Sequence, residues 1–208
     1  MNTVYFIRHG ENPANLTREF SCRLVDYSLT EKGILQATET ARFFAETPVD
    51  AIYSSPLKRA AETAAIIAEP HHLPVSTLDQ FREIDVGELE GQPPSDELWT
   101  YHDSILKAWL SGTSDTAFPG GESHHQLIAR MRDGMEQTLR GRDEQRVVVV
   151  AHGGILLSAI QDLCPSVSLS DLETLEMGNC AITEVAFERH NGHLTGILRG
   201  WALCTHLT

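Results

Sequence analysis

The run at residues 147–151 is the feature that most restricts how this chain can fold. It consists of four consecutive valines followed by alanine, with no polar break. A strand without a polar face has to be buried on both sides, which is typical of a parallel sheet covered by helices. Predicted strands alternate with predicted helices along the chain, which favours a three-layer α/β/α fold with a mostly parallel central sheet. The strands are predicted at 2–7, 50–54, 75–78, 146–151, 181–188 and 194–201, and the helices at about 31–46, 56–69, 123–141 and 154–163.

One segment, at about 88–122, interrupts this alternation. Residues 93–95, Pro-Pro-Ser, are predicted to start a helix that carries Trp99 and Trp109 on one stripe. We interpret the two tryptophans as residues that pack this segment onto the body of the protein. A chain of 208 residues suits one domain. We therefore predict a single domain, 1–208, with this segment as a helical, cap-like excursion.

Composition excludes several classes of function. The formal net charge of −13 argues against nucleic acid or an anionic membrane as a partner. We find no apolar stretch of the length of a membrane span and no secretory leader, and the cysteines form no C-x-x-C pair. Free thiols in a reducing cytoplasm are therefore expected, and without the spacing of a zinc motif no metal site is expected. The sequence leaves a homodimer open. The cysteines are Cys22, Cys164, Cys180 and Cys204.

Two of the predicted strands are followed directly by histidine and glycine. The first leads into Arg8-His9-Gly10 and the run at 147–151 leads into His152-Gly153. An arginine can donate two N–H groups to a phosphoryl group, and a neutral imidazole can attack phosphorus. Glycine allows the backbone to approach a ligand closely. These residue types together indicate a phosphate-handling site.

A third strand end carries Arg59. The strand at 50–54 is followed by Ser55 as a predicted N-cap and Pro56 as a predicted first helical residue. Arg59 would then lie in the first turn of that helix, where anions bind. Three such strand ends fit one crevice at the carboxyl edge of a sheet.

The chain resembles the histidine phosphatase superfamily, the phosphoglycerate mutase-like proteins. The resemblance rests on six sequence blocks that occur in the order of the family and cover nearly the whole chain. The blocks are Arg8-His9-Gly10-Glu11 with Asn15, Leu29-Thr30-Glu31-Lys32-Gly33 with Gln36-Ala37, Ser54-Ser55-Pro56-Leu57-Lys58-Arg59-Ala60 with Thr63, Arg82-Glu83-Ile84-Asp85 with Gly87 and Glu90-Gly91, Pro119-Gly120-Gly121-Glu122-Ser123, and Ala151-His152-Gly153.

This resemblance implies a role for each matching residue. His9 would be the nucleophile that forms a phosphohistidine, without a metal ion or other cofactor. Arg8, Arg59 and His152, with backbone N–H groups near Gly153, would bind the phosphoryl oxygens. The sequence leaves the charge state of His152 open. In relatives the segment at about 88–122 arches over the pocket and shapes the choice of substrate.

The leaving group needs an acid, and Glu83 occupies the family position for it. A nearby phosphate dianion would favour the protonated carboxylic acid. Asp85 is the alternative in the same loop. Asn15 and the stretch around Ser21 match substrate-binding positions of the family.

One position departs from the pattern of the family. Cys22 stands where relatives commonly have glycine after Ser21. We expect its backbone N–H to remain available to a substrate oxygen and its side chain to be a small buried filler rather than a reactive thiol.

Three functions fit these residues. The first is a phosphomonoesterase that acts through a phosphohistidine on a small phosphorylated metabolite. The second is a mutase that returns the phosphoryl group to a sugar acid, and the third is a non-catalytic phosphate-binding module. Mutases bring extra basic residues, whereas the window 85–125 contains Lys107 as its only basic residue apart from histidines. The phosphatase is the favoured function.

Overall fold

The computed structural model describes residues 1–113, 115–172, 174–190 and 192–208 and contains one mixed sheet of six strands in the order β3-β2-β4-β1-β5-β6. Strands β3, β2, β4 and β1 are parallel to one another. Strands β5 and β6 add two antiparallel pairings at one side, so the predicted mostly parallel sheet is confirmed. The strands are β1 (Asn2–Arg8), β2 (Ala51–Ser54), β3 (Val75–Thr77), β4 (Arg146–Ala151), β5 (Ile182–His190) and β6 (His193–Leu203).

Helices cover both faces of the sheet, which confirms the three-layer prediction. On one face, Phe6 and Val149 pack in a cluster with side chains of α4, α5 and α6. On the other face, Ile7 and Val148 pack with side chains of α2 and α3. Alternate residues of β1 and β4 thus point into different layers, as the period of a strand requires. The helices are α1 (Pro13–Thr17), α2 (Glu31–Phe44), α3 (Lys58–Ala68), α4 (Asp96–Leu110), α5 (His124–Leu139) and α6 (Gly153–Leu163).

The strand register brings the two histidines together. Arg8 of β1 is paired with Ala151 of β4, so the two strands end side by side. The backbone N–H of His9 then donates to the carbonyl of Ala151 at 3.0 Å. The rings of His9 and His152 lie with their centroids 5.1 Å apart.

The predicted start of α3 is wrong. The helix begins at Lys58, and its N-cap is Leu57 without a side-chain hydrogen bond, rather than Ser55. The Ser55 hydroxyl lies 2.7 Å from Nε2 of His152 instead. Because α3 starts later than predicted, Arg59 is its second residue and still lies in the first turn.

The segment at 88–122 contains α4, which starts after an N-cap bond from the backbone N–H of Leu98 to the Ser95 hydroxyl. Trp109 is buried in the core next to Phe118, as expected of a packing residue. Trp99 is only partly buried, and its indole N–H donates to the carbonyl of Arg18. In the part of the chain that the structure describes, none of the helices combines the length and the apolar character needed to cross a bilayer.

Candidate active site

His9, directly after β1, has a defined tautomer. Its Nδ1 lies 2.7 Å from the carbonyl oxygen of Gly10, which can only accept, so Nδ1 carries the proton. Its Nε2 accepts from Nε of Arg59 at 3.0 Å. Burial lowers the pKa of His9 well below its ordinary value, and the charges of Arg59 and Arg8 lower it further. His9 is therefore a neutral imidazole with its reactive lone pair on Nε2.

The turn that carries His9 is held against two helices. The backbone N–H of Gly10 donates to the hydroxyl of Thr63 in α3. A Cβ on Gly10 would lie 2.6 Å from the carbonyl oxygen of Gly33 in α2, and a Cβ on Gly33 would lie 2.1 Å from that of Glu11. Only glycine at both positions permits this approach of α2 to the turn.

Arg59 bridges His9 and the loop that follows α1. Its Nη1 donates to the hydroxyl of Ser21 at 3.0 Å and its Nη2 donates to the carbonyl of Ser21 at 2.7 Å. The side chain is buried, and burial lowers its pKa from a high ordinary value. Ser21, predicted as a substrate-binding residue, thus contacts Arg59 and fixes the plane of its guanidinium group.

Two buried nitrogen atoms next to His9 lack a hydrogen-bond partner within the described residues. They are Nε of Arg8 and Nδ1 of His152. Arg8 donates through Nη1 to the carbonyl of Met177. Burial lowers the pKa of His152 well below its ordinary value, and the charge of Arg59 adds to this effect. A lowered pKa favours the neutral ring. The Ser55 hydroxyl lies 2.7 Å from Nε2 of His152, and when it donates to Nε2 the proton of the neutral ring is on Nδ1. In that tautomer the N–H groups of Arg8 and His152 both complement an oxyanion.

Glu83 lies at the N-terminus of α6. Its carboxylate accepts from the backbone N–H groups of Gly154 at 3.2 Å and of Ile155 at 2.9 Å. Asp85, the alternative acid, accepts from the guanidinium of Arg23 at 2.9 Å and does not line the cavity that contains His9. Of the two carboxyl groups, that of Glu83 lines the cavity that contains His9 and that of Asp85 does not.

The loop that carries Glu83 is clamped by Arg130 of α5. Arg130 donates to the carbonyl oxygens of Gln80, Arg82 and Glu83 and forms an ion pair with Glu122 at 2.6 Å. An arginine that satisfies three carbonyl groups of one loop restricts the position of the carboxylate that the loop presents.

Of the other predicted substrate-binding residues, Asn15 and Gly153 line the cavity. Cys22 also lines it, but the expected role of its backbone N–H is wrong. That N–H donates to Oε1 of Glu90 at 2.7 Å, as do the N–H groups of Arg23 and Val25. The buried carboxylate of Glu90 holds this loop through these N–H groups. The Cys22 N–H is therefore not available to a substrate oxygen. Burial raises the pKa of the Cys22 thiol, in agreement with an unreactive filler.

Asn12 also belongs to the site, although the sequence motifs do not predict it. Asn12 is the N-cap of α1 and forms a capping box with Asn15. Its Nδ2 is buried at the cavity and has no hydrogen-bond partner in the described ranges. The signal was present, because asparagine directly before Pro13 is a typical helix start.

A cavity of about 290 Å³ lies between the edge of the sheet, α4 and α6. His152 is fully buried behind His9 and does not line it. No group of three or more His, Cys, Asp or Glu side chains is placed to hold a metal ion among the residues described. The cavity is lined by Arg8, His9, Asn12, Ala14, Asn15, Glu19, Phe20, Ser21, Cys22, Arg59, Glu83, Ile84, Val86, Trp99, His102, Gly153, Gly154, Leu157, Leu175 and Met177.

Comparison with known proteins agrees with this geometry. The sequence profile of the histidine phosphatase superfamily (branch 1) matches residues 4–198, and the chain belongs to this family. A Bacillus subtilis protein named uncharacterized phosphatase PhoE is 30% identical over 96% of this chain and 100% of its own length. A Proteus mirabilis protein named probable phosphoglycerate mutase GpmB is 32% identical over 100% of this chain and 96% of its own.

Among solved structures, the chain is similar to mycobacterial glucosyl-3-phosphoglycerate phosphatase in complex with VO3. The TM-score is 0.81 at 26% sequence identity, and the match covers 98% of this chain and 100% of the other.

Proposed function

We propose that this protein is a phosphomonoesterase that acts on a small phosphorylated metabolite through a phosphohistidine at His9. The observation that carries this proposal is the tautomer of His9, whose Nδ1–H is held by the Gly10 carbonyl while Nε2 is unprotonated. A nucleophilic histidine needs this arrangement, because only the unprotonated nitrogen can attack phosphorus. The names of the PhoE relative and of the mycobacterial phosphatase support the same activity.

In the first step, Nε2 of His9 attacks the phosphorus atom and the bond from phosphorus to the ester oxygen breaks. The phosphoryl group takes the place of the N–H that Arg59 now donates to Nε2, so this hydrogen bond shifts to a phosphoryl oxygen. Arg8 and Arg59 bind the other oxygens through their guanidinium groups, and His152 adds a further contact. Stabilisation of the charge during in-line transfer is the main contribution of these residues.

Glu83 supplies the proton that the departing alkoxide needs. In the second step, its carboxylate accepts a proton from the water that attacks the phosphohistidine, and the bond from phosphorus to Nε2 breaks. Phosphate leaves, His9 returns to its neutral form and Glu83 is again protonated. One carboxyl group can therefore serve both steps.

The proposal includes metal-independent catalysis and a cytoplasmic location. Two arginines at the phosphoryl site supply positive charge where other phosphotransfer enzymes use a metal ion. Cys22, Cys164, Cys180 and Cys204 are all free thiols, which supports a reducing compartment.

A mutase is the alternative, since a relative at 32% identity is named a probable phosphoglycerate mutase. A mutase has to bind a substrate carboxylate as well as the phosphoryl group. Arg8 and Arg59 are the only Lys or Arg side chains that line the described cavity, and both are used for the phosphoryl group. This favours hydrolysis.

The experiment that tests the proposal is a panel of phosphomonoesters in the presence of excess EDTA. Phosphate release is compared with isomerisation of 3-phosphoglycerate to 2-phosphoglycerate. We expect phosphate release that EDTA does not reduce and slower isomerisation. Faster isomerisation would establish the mutase, phosphate binding without turnover would establish a binding module, and loss of activity in EDTA would overturn metal independence.

A further inference from the structure

Part of the lining of the cavity is an aromatic and apolar wall. Phe20 lies with its ring centroid 4.4 Å from that of Trp99, at an interplanar angle of 31°. The ring of His102 packs against both. Leu157 of α6 adds an apolar side chain to the lining of the cavity. A leaving group bound against these side chains would pack its apolar or ring face on the aromatic rings.

Glu19 lines the same cavity as Arg8, Arg59 and Glu83. The hydroxyl of Tyr27 forms a hydrogen bond with this carboxylate, which raises the pKa of Tyr27. The second oxygen, Oε2, is buried without a hydrogen-bond partner in the part of the chain described. A buried carboxylate oxygen needs a donor, so a bound molecule that offers O–H or N–H groups would satisfy it.

The cations around the cavity are not free to balance a second negative charge. Arg18, above the ring of Trp99, forms an ion pair with Asp96 at 3.0 Å. Arg23 is paired with Asp85 at 2.9 Å. Arg82 forms an ion pair with Asp79 at 2.6 Å. Arg130 forms an ion pair with Glu122 at 2.6 Å. A carboxylate or second phosphate on the leaving group would therefore meet Glu19 rather than a cation.

We propose that Glu19 selects the substrate, which is the phosphate monoester of an alcohol with an apolar or ring face, hydrogen-bond donors and no second anionic group. This inference rests on the proposed phosphomonoesterase function and narrows its substrate class. Glu19 repels leaving groups that carry a second anionic group, and the aromatic wall attracts those with an apolar or ring face, so both effects contribute to specificity.

The first test compares 4-(hydroxymethyl)phenyl phosphate with 4-carboxyphenyl phosphate, which have the same body and differ in one substituent. The parent protein should prefer the hydroxymethyl substrate by at least about tenfold in kcat/KM, because a carboxylate near Glu19 is repelled. Glu19→Gln should reduce this preference to about threefold or less. Glu97→Gln removes an exposed carboxylate from the first turn of α4, outside the cavity, and should leave the preference unchanged.

The second test concerns the aromatic wall and uses two alkyl phosphates. Trp99→Ala should lower kcat/KM for benzyl phosphate relative to methyl phosphate by about fivefold or more, since the stacked face is lost. Tyr101→Ala, an exposed aromatic on the same helix, is the matched control and should not change this ratio.

The substrate preference tests the role of Glu19, and turnover itself tests the proposed phosphatase function. Equal kcat/KM for the carboxylated and hydroxymethyl substrates in the parent protein would overturn the inference and leave a working phosphatase. A preference that persists in Glu19→Gln, or that Glu97→Gln removes equally, would also overturn it, because the discrimination would then arise elsewhere. Absence of turnover with every ester would instead overturn the proposed function.

Discussion

At the scale of single residues, the hydrogen bonds of His9 determine which of its two nitrogens can react. A backbone carbonyl fixes the proton on Nδ1, and Arg59 points an N–H at Nε2. The same arginine is fixed by two bonds to Ser21. The proposed nucleophile and the proposed phosphoryl-binding group are therefore positioned as one unit before a substrate arrives, which is how an active site lowers the cost of reorganisation.

Replacement of Arg59 by lysine tests this unit. Lysine keeps the charge but cannot donate to Nε2 of His9 and to both oxygens of Ser21 with a planar fork. We expect Arg59→Lys to lower kcat/KM by about 100-fold or more, on the order of 3 kcal/mol of transition-state stabilisation. Arg189→Lys is the matched control, because Arg189 lies in an exposed ion pair with Glu136 and should be replaced without loss. Activity of Arg59→Lys within about threefold of the parent would show that the fork of Arg59 does not position His9 and the phosphoryl group.

The proposed role of Glu83 predicts a dependence on the leaving group. A poor leaving group needs a proton and a good one departs without it. Glu83→Gln should therefore reduce hydrolysis of an alkyl phosphate much more than that of p-nitrophenyl phosphate, measured as kcat/KM. Asp85→Asn, which removes a carboxylate from the same loop outside the cavity, should show no such difference. Equal loss with both substrates would make Glu83 a positioning residue, and no loss would place the acid elsewhere.

The two buried histidines predict how stability changes with pH. The pKa values of His9 and His152 are lowered well below the ordinary value of 6.5 by burial. The unfolded chain therefore binds protons below about pH 6.5 while the folded chain does not, so the free energy of unfolding falls as pH decreases toward the folded pKa values. Urea denaturation should show this fall, and His152→Gln should reduce it.

His125 is the control for this measurement. Its pKa is raised by the hydrogen bond to Asp115, so its contribution is present at low pH and lost as pH rises. His125→Gln should not make the fall toward low pH shallower. If His152→Gln left the fall unchanged, or if stability did not decrease below about pH 6.5, the interpretation of a buried neutral pair would be wrong.

At the scale of elements, the sequence predicted the strands well because the hydrophobic periodicity of a strand depends only on residues that are close together in the chain. The predicted strand at 146–151 agrees with β4 at both ends, and that at 2–7 differs from β1 by one residue. The start of α3 was predicted wrongly, since the Ser55 hydroxyl bonds to His152 rather than to the helix. That contact joins residues 97 positions apart, and no capping rule includes such a partner.

The contact between α2 and the turn after β1 gives a prediction for Gly33. Alanine in a helix usually replaces glycine with a gain of about 1 kcal/mol. Here a Cβ would lie 2.1 Å from the carbonyl oxygen of Glu11, so α2 would have to move away from the turn that carries His9. Gly33→Ala should lower both the urea midpoint and kcat. Leu35→Ala, at an exposed position of the same helix, should change neither by much. A stabilised, fully active Gly33→Ala would show that the close approach of α2 does not hold the turn that carries His9.

At the scale of the whole molecule, the fold gathers distant positions at the carboxyl ends of parallel strands. Arg8, His9, Arg59 and His152 follow from that rule and from the family blocks. The structure places the first three on one cavity and the ring of His152 next to that of His9. Glu19 and the bonds of Glu90 to the loop at 22–25 do not follow from it, because they depend on how two irregular loops meet. The net charge of −13 repels an anionic substrate at long range, so attraction has to come from the buried arginines.

Rapid-quench labelling with a 32P-phosphomonoester tests most directly whether His9 is the nucleophile. We expect labelled protein to form within the first turnover and the label to be lost in acid and retained in alkali, as for phosphohistidine. Peptide mapping should place it on His9, and His9→Gln should show neither label nor turnover. Acid-stable label, label on another residue, or turnover by His9→Gln would contradict the claim that His9 is the nucleophile.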